Sequence, residues 1–414
     1  MTEVQEEPPV IHLVGIPERP ALRHVEVIPS DDGEAFLLFD PSGASAGPVP
    51  LTRPGLMLAG CLTGRLTLAE VRAEFLRRHG IGVPEEVLVD LVTTLDEARL
   101  LEGGRFLAHY RGLPARPPLR LLQHDDADHN RELLDTVLAS RRPAEVAGRV
   151  VGLVAPHLDY PRGRPCYAES YGLLRSRLVA AAPRRFVILG TNHFGRSRHV
   201  TATDKDFDTP LGRAVTDRAF LTRLADRLGA DLCDGDADHL REHSVELQVR
   251  FLQHLLGGAD AAYVPVLCPD PCGPTGVRPA DGVGPDLDAF SDALRELIAE
   301  DPVETVVVAG ADLAHVGQEF GDEELLNDGW LGEVRRQDAE LLAAIGAGRP
   351  ADMVEHLRTD DNARRVCSAG CLYVLTRTAV GAGAEPRLLG YHQAVNHDTQ
   401  TAVTCAAAAF VAPA

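Results

Sequence analysis

Two runs of branched apolar residues in this chain stop at a histidine, and a third stops at an aspartate with a histidine close behind. They read Val151-Gly-Leu-Val-Ala-Pro-His157, Phe186-Val-Ile-Leu-Gly-Thr-Asn-His193 and Thr305-Val-Val-Val-Ala-Gly-Ala-Asp312-Leu-Ala-His315. A short, nearly continuous apolar run is how a strand buried on both faces reads, and that points to a parallel sheet covered by helices. Open α/β sheets gather functional side chains just beyond the carboxyl ends of their strands. Imidazoles at two such ends, with Cys367 further on, offer donors suited to Zn, Fe or Cu. The pattern predicts a metal-competent site on one edge of an α/β scaffold.

At 414 residues the chain calls for two or three domains. Its 61 acidic residues outnumber 41 basic ones, for a net charge of −20. That excess argues against nucleic-acid binding, which needs a basic stripe. Lys205 is the only lysine, which leaves little room for Schiff-base chemistry. The eight cysteines are scattered without a Cys-x-x-Cys pair and read as reduced thiols. The first residues are acidic and carry no apolar signal segment, and no apolar run reaches the roughly 18–20 residues of a membrane span. The expectation is a cytoplasmic protein with no membrane partner.

Residues 1–115 differ in texture from the rest. Glu34–Phe39 reads as a strand closed by an Asp40-Pro-Ser-Gly43 turn. Thr67-Leu-Ala-Glu70 is a capping box ahead of an apolar helix face, and residues 84–101 read as a second helix. Leu101-Glu-Gly-Gly-Arg-Phe-Leu107 then looks like a β-wing. The segment is expected to be a small winged-helix-like α+β domain, and its strand, turn and helix motifs resemble those of PqqD-like domains. Some of those domains read leader peptides. Residues 116–147 are expected as a connector that includes a helix near 130–140. Residues 148–414 alternate strands and helices and predict a three-layer, mainly parallel sheet, with a loop or lid at 269–285.

Within that larger domain the candidates can be weighed one by one. Pro156 ends its strand and sets His157 at the sheet edge. Glycines flank His193 closely enough for a tight turn. Glu242-His243-Ser244 opens a helix, with Ser244 as the expected N-cap and His243 kept neutral at the positive helix end. Asp312 and His315, three apart, share a face if their segment is helical. Such an aspartate can orient a ligand while the histidine acts as acid or base. Cys367 precedes an apolar helix start, where a thiol pKa falls, so it can be ligand or nucleophile.

These pieces together resemble the Memo family, also labelled AmmeMemoRadiSam system protein B. The matching motifs are Ala155-Pro-His157-x-x-Tyr160, Leu189-Gly-x-x-His193, Glu242-His243-Ser244-x-Glu246-x-Gln248, Asp312-Leu-x-His315 and Cys367. The resemblance implies a fold like the class III extradiol dioxygenases. It implies a metal site of His157, His193 and Cys367, with His243, His315 and Asp312 as catalytic residues lining it. Fe(II) is the first expectation for the metal, with Cu or Zn as alternatives. A small-molecule or peptide ligand, and radical-SAM and AMMECR-type partner proteins, are further implications. The family's usual His-Ala-Gly-Tyr is His157-Leu-Asp-Tyr160 here, and Arg250 stands where a proline is expected.

Three functions follow as expectations. The first is a metal-dependent oxidoreductase related to non-haem iron dioxygenases. The second is a non-enzymatic peptide- or metal-binding protein associated with a radical-SAM modification system. The third is metal-independent thiol chemistry at Cys367.

Overall fold

A computed structural model describes residues 17–30, 33–119, 126–178, 184–257 and 261–413. The chain divides into two compact units, Met1–Leu113 and Pro114–Ala414.

In the first unit the capping box forms as its sequence dictates. Thr67 caps helix Leu68–His79, and the Glu70 carboxylate returns to the Thr67 amide at 2.8 Å. Helices Arg53–Ala59 and Glu85–Glu97 pack with it against an antiparallel sheet of Glu26–Pro29, Phe36–Phe39 and Val49–Leu51. Val71, Phe75, Leu88, Val92 and Leu95 fill the core between them. The expected wing is not a hairpin. Only Leu101–Glu102 is a strand, paired antiparallel with Ala21–Leu22, and a helix follows over Gly104–Gly112. Phe106 and Tyr110, four residues apart, are both buried, which is helical spacing. The buried Arg23 guanidinium, paired with Asp40 at 3.0 Å, lies 3.7 Å over the Phe106 ring and holds it there.

The second unit is built on one mixed sheet. Four parallel strands form its centre in the order Arg149–Ala155, Glu304–Gly310, Arg184–Thr191 and Ala261–Cys268. Thr401–Ala412 adds antiparallel beside Arg149–Ala155 and carries both Asp312–Gly317 and Glu385–Asn396. On one face lie helices Tyr160–Arg177 and His243–Leu256; on the other lie Leu287–Glu300 and Ala369–Gly381. The result is a mixed α/β unit with a large, mostly parallel central sheet between two helical layers.

The stretch expected as a connector takes part in this unit. Ala115–Arg116 pairs parallel with Asp206–Phe207, and helix Ala127–Ala139 supplies Leu134 and Val137 to the core. Residues 120–125, part of the same stretch, lie outside the described residues. Asp312 and His315 do not share a helix face, because their segment is a strand. A register shift lies between the two residues, so simple alternation does not apply across them. Among the described residues, no helix is long and apolar enough to cross a membrane.

Candidate metal centre

Because the four central strands run parallel, their carboxyl ends share one edge of the sheet. His157 follows Arg149–Ala155 there and is almost fully buried. Its Nδ1 lies 2.9 Å from the Gly310 carbonyl, which can only accept, so Nδ1 carries a proton and Nε2 is turned to the other side chains of the site. That Nε2 is 3.3 Å from Cys367 Sγ and 3.4 Å from Asp312 Oδ2. The other Asp312 oxygen accepts from the His157 backbone amide at 3.0 Å.

His193 sits on the loop after Arg184–Thr191. Two carboxylates pin this loop. Asp238 accepts from the Arg196 and Ser197 amides, each at 3.0 Å, and from Asn192 Nδ2 at 2.8 Å. A Cβ on Gly195 would stand 2.2 Å from both Asn192 Oδ1 and the Asp238 carboxyl carbon, so this close approach requires glycine. Glu242 accepts from the His193 amide at 2.9 Å and from His193 Nδ1 at 3.0 Å, leaving Nε2 as the free nitrogen. Glu242 is also the N-cap of helix His243–Leu256, accepting from the Ser244 amide. This corrects the expectation that Ser244 caps the helix. The Ser244 hydroxyl instead accepts from the Thr191 amide at 3.0 Å and joins the helix to the neighbouring strand.

His243 opens that helix and brings in a third imidazole. Its ring centroid lies 5.1 Å from that of His193 and 5.5 Å from that of His157, and the latter two are 4.9 Å apart. One nitrogen from each of the three rings falls within 4.8 Å of the others, a group able to hold a metal ion. Cys367 reaches the cluster from the turn before helix Ala369–Gly381. Asp361, Asn362 and Arg365 in that turn hold left-handed backbone angles, a costly conformation for side-chain-bearing residues. Arg364 pairs with Asp338 and Arg365 with Asp322, which fixes the turn on both sides. His315 stands apart from the three imidazoles. Its Nδ1 is 3.1 Å from both the Leu313 and Arg365 carbonyls, and its ring meets Phe320 edge-on at 5.2 Å.

The Memo-like protein family profile matches residues 123–410. The chain belongs to this family. A MEMO1 family protein of Thermus thermophilus is 29% identical over 291 residues, covering 69% of this chain and 82% of the relative. A MEMO1 family protein of Aquifex aeolicus is 22% identical over 400 residues, covering 92% and 96%. An alignment of that span takes in most of the first unit as well. A solved structure of an uncharacterized Escherichia coli K12 protein covers 63% of this chain at 13% identity, with a TM-score of 0.34 that is too low to bear on the fold.

The electrostatics of this Memo-like site divide its imidazoles. Burial by itself depresses the His157 pKa, but Asp312 and Cys367 outweigh it and lift the group to about 10. For His193 burial is likewise overcome, by hydrogen bonds to Cys367 and Glu242, and the pKa rises to about 11. Burial opposes a thiolate at Cys367, yet His157 and His193 bring its pKa well below the ordinary range. Burial also opposes ionisation of Glu242, and His193 reverses that. His243 goes the other way. Burial pulls it down to about 4 despite Glu242, so its ring is neutral. These shifts favour a thiolate at Cys367, protonated rings at His157 and His193, and a neutral ring at His243.

Two positioning residues escaped the sequence reading. Glu242 registers there only as part of a helix opening, and nothing local to Asp238 marks it. Their partners at His193 and Ser197 lie more than forty residues away in sequence. An acid directly before a histidine at a helix start was the one local signal.

Proposed function

We propose that the second unit binds a divalent transition metal through His157 Nε2, His193 Nε2 and the Cys367 thiolate, with His243 facing the remaining position. The observation that carries this is the locking of both imidazoles. Each Nδ1 is committed to an acceptor, a backbone carbonyl for one and a carboxylate for the other, which leaves each Nε2 as the nitrogen that can ligate a metal once its proton is lost. This is how protein metal sites orient histidine ligands and raise their basicity. The donor set also fits the group, since two imidazoles and a thiolate suit Fe(II), Cu or Zn better than Mg or Ca. Fe(II) is our first assignment.

Such a metal would supply Lewis acidity or redox chemistry to a small molecule reaching its open position. Around that position His243, neutral and partly buried, can hydrogen-bond a bound molecule. The exposed Phe194 ring, 5.8 Å from His193 and 6.1 Å from His243, forms an apolar rim with the Arg241 guanidinium 4.8 Å over it. A metal-dependent oxidoreductase is therefore the enzymatic form of the proposal. The test is elemental analysis of protein purified without chelator or metal-affinity resin, beside His157→Ala. One metal per chain in the wild type, lost in the variant, supports the assignment. Metal-free wild type whose Cys367 alone is rapidly alkylated would replace it with thiol chemistry.

A further inference from the structure

Arg116 lies just past the division between the two units and ahead of the residues that match the family profile. Its side chain is fully buried, and every donor arm finds an acceptor. Nε donates to the His239 carbonyl at 2.5 Å, Nη2 to the Glu242 carbonyl at 2.9 Å, and Nη1 to the Glu246 carboxylate. Arg250 Nε donates to the other Glu246 oxygen at 2.8 Å, and the Leu119 amide donates at 3.0 Å to the oxygen that faces Arg116. The Phe207 ring packs 5.0 Å from the Arg116 guanidinium.

The two carbonyls are the informative partners. They bracket residues 239–242, the junction between the turn Asp236–Arg241 and helix His243–Leu256. That junction carries Glu242 and directly follows Asp238, the two carboxylates that pin the His193 loop, and it leads directly into His243. A buried ion pair by itself is a weak stabiliser, and apolar side chains of similar size often fill such space at lower desolvation cost. They could not hold two backbone carbonyls in a fixed mutual orientation, as a planar guanidinium does.

We infer that Arg116 is a positioning residue for the His193 and His243 side of the metal site, acting through the carbonyls of residues 239 and 242. The inference rests on the metal-binding proposal above. It assigns the segment joining the two units a part in setting that site's geometry. Cys367 and His157 are held by other elements and are outside its reach.

The test titrates full-length, metal-free protein with Co(II), followed by its visible bands and its thiolate charge-transfer band. Arg116→Lys keeps a cation opposite Glu246 but cannot span both carbonyls and the carboxylate. It should weaken Co(II) binding about 10-fold or more, the usual range for a lost supporting contact. The thiolate band should persist, and the amides of Gly195, Arg196 and Ser197 should exchange faster with solvent. Arg250→Met, which removes the other partner of Glu246 but touches neither carbonyl, should lower thermal stability and leave Co(II) affinity unchanged. Wild-type affinity in Arg116→Lys, or an equal loss in Arg250→Met, overturns the inference. Should Arg116→Lys not fold, Asp238→Ala interrupts the same route nearer the metal, and unchanged affinity there overturns it too. If wild-type protein takes up no Co(II), the metal proposal itself fails and the positioning role falls with it.

Discussion

His157 and His193 are the same side chain in the same chemical state, but the two sides of the site that hold them are built differently. The His157 side is made of sheet. Its ring is held by the Gly310 carbonyl at the end of a central strand, and its amide by Asp312 one strand further along the chain. The His193 side is made of loop and turn, held by side-chain carboxylates from Asp238 and Glu242. Backbone held in a parallel ladder is positioned by the whole core. A loop held by two carboxylates is only as well placed as the turn that carries them. The difference teaches that one side of the proposed metal site is rigid by construction, while the other depends on a few nameable contacts and can be loosened by single substitutions.

The largest effect should come from the donors themselves, on either side. Cys367→Ala removes the only thiolate in the cluster and should abolish stoichiometric metal while the fold survives, since Cys367 is a turn residue and only partly buried. Retention of a full equivalent of metal in Cys367→Ala would leave the three imidazoles as the whole donor set.

Next comes the contrast between the supports. Glu242→Gln keeps the size and the acceptor oxygen but removes the charge beside His193. It should weaken metal binding by about 10–100-fold, as loss of a supporting carboxylate does. The His157 side offers no equivalent substitution at its ring, since that acceptor is a backbone carbonyl. Equal metal affinity in Glu242→Gln and wild type, measured by competition with a chelating dye, would erase the distinction between the two sides.

A smaller and graded effect belongs to pH. His157 and His193 have pKa values raised to about 10 and about 11 in the metal-free protein, so both hold their protons at pH 8. A metal must expel those protons to reach Nε2. Cys367, with its pKa lowered, is already a thiolate and releases none. Affinity should therefore rise with pH between 7 and 10 and fall on acidification. Binding at pH 8 should release roughly two protons per metal, read by calorimetry in buffers of different ionisation enthalpy. Release of no protons would mean that the imidazoles stand neutral before the metal arrives.

How far the sequence revealed all this follows the same division. His157, on the sheet side, was legible because an apolar run and a proline mark a strand end locally. The His193 loop was legible as a turn from its flanking glycines, but not its supports, because Asp238 and Glu242 act across more than forty residues. Asp312 and His315 were expected to share a face only if their segment were helical, and it is a strand. Nothing in Asp-Leu-Ala-His alternates, and the strand exists only because Thr401–Ala412 pairs with it from the far end of the chain. The same distant strand carries Glu385–Asn396, which the sequence pattern did not announce. In the first unit the wing failed for a local reason: Phe106 and Tyr110 are spaced for a helix, and that spacing was there to be counted.

The smallest expected effect on metal is at His315, and it separates lining from ligation. His315 is close enough to contribute to the lowered pKa of Cys367, yet it is not one of the three clustered imidazoles. Its Nδ1 is committed to the carbonyls of Leu313 and Arg365, the second of which lies in the turn that carries Cys367. Its other nitrogen is not among the converging donors, so the ring is suited to meet a bound small molecule. His315→Ala should keep wild-type metal content and Co(II) spectrum, apart from a modest rise in the Cys367 pKa as one nearby positive influence is lost. It should weaken binding or turnover of whatever small molecule the open position accepts. Loss of metal in His315→Ala as complete as in His157→Ala would place His315 among the ligands, and the sheet side of the site would then hold two imidazoles where we assign one.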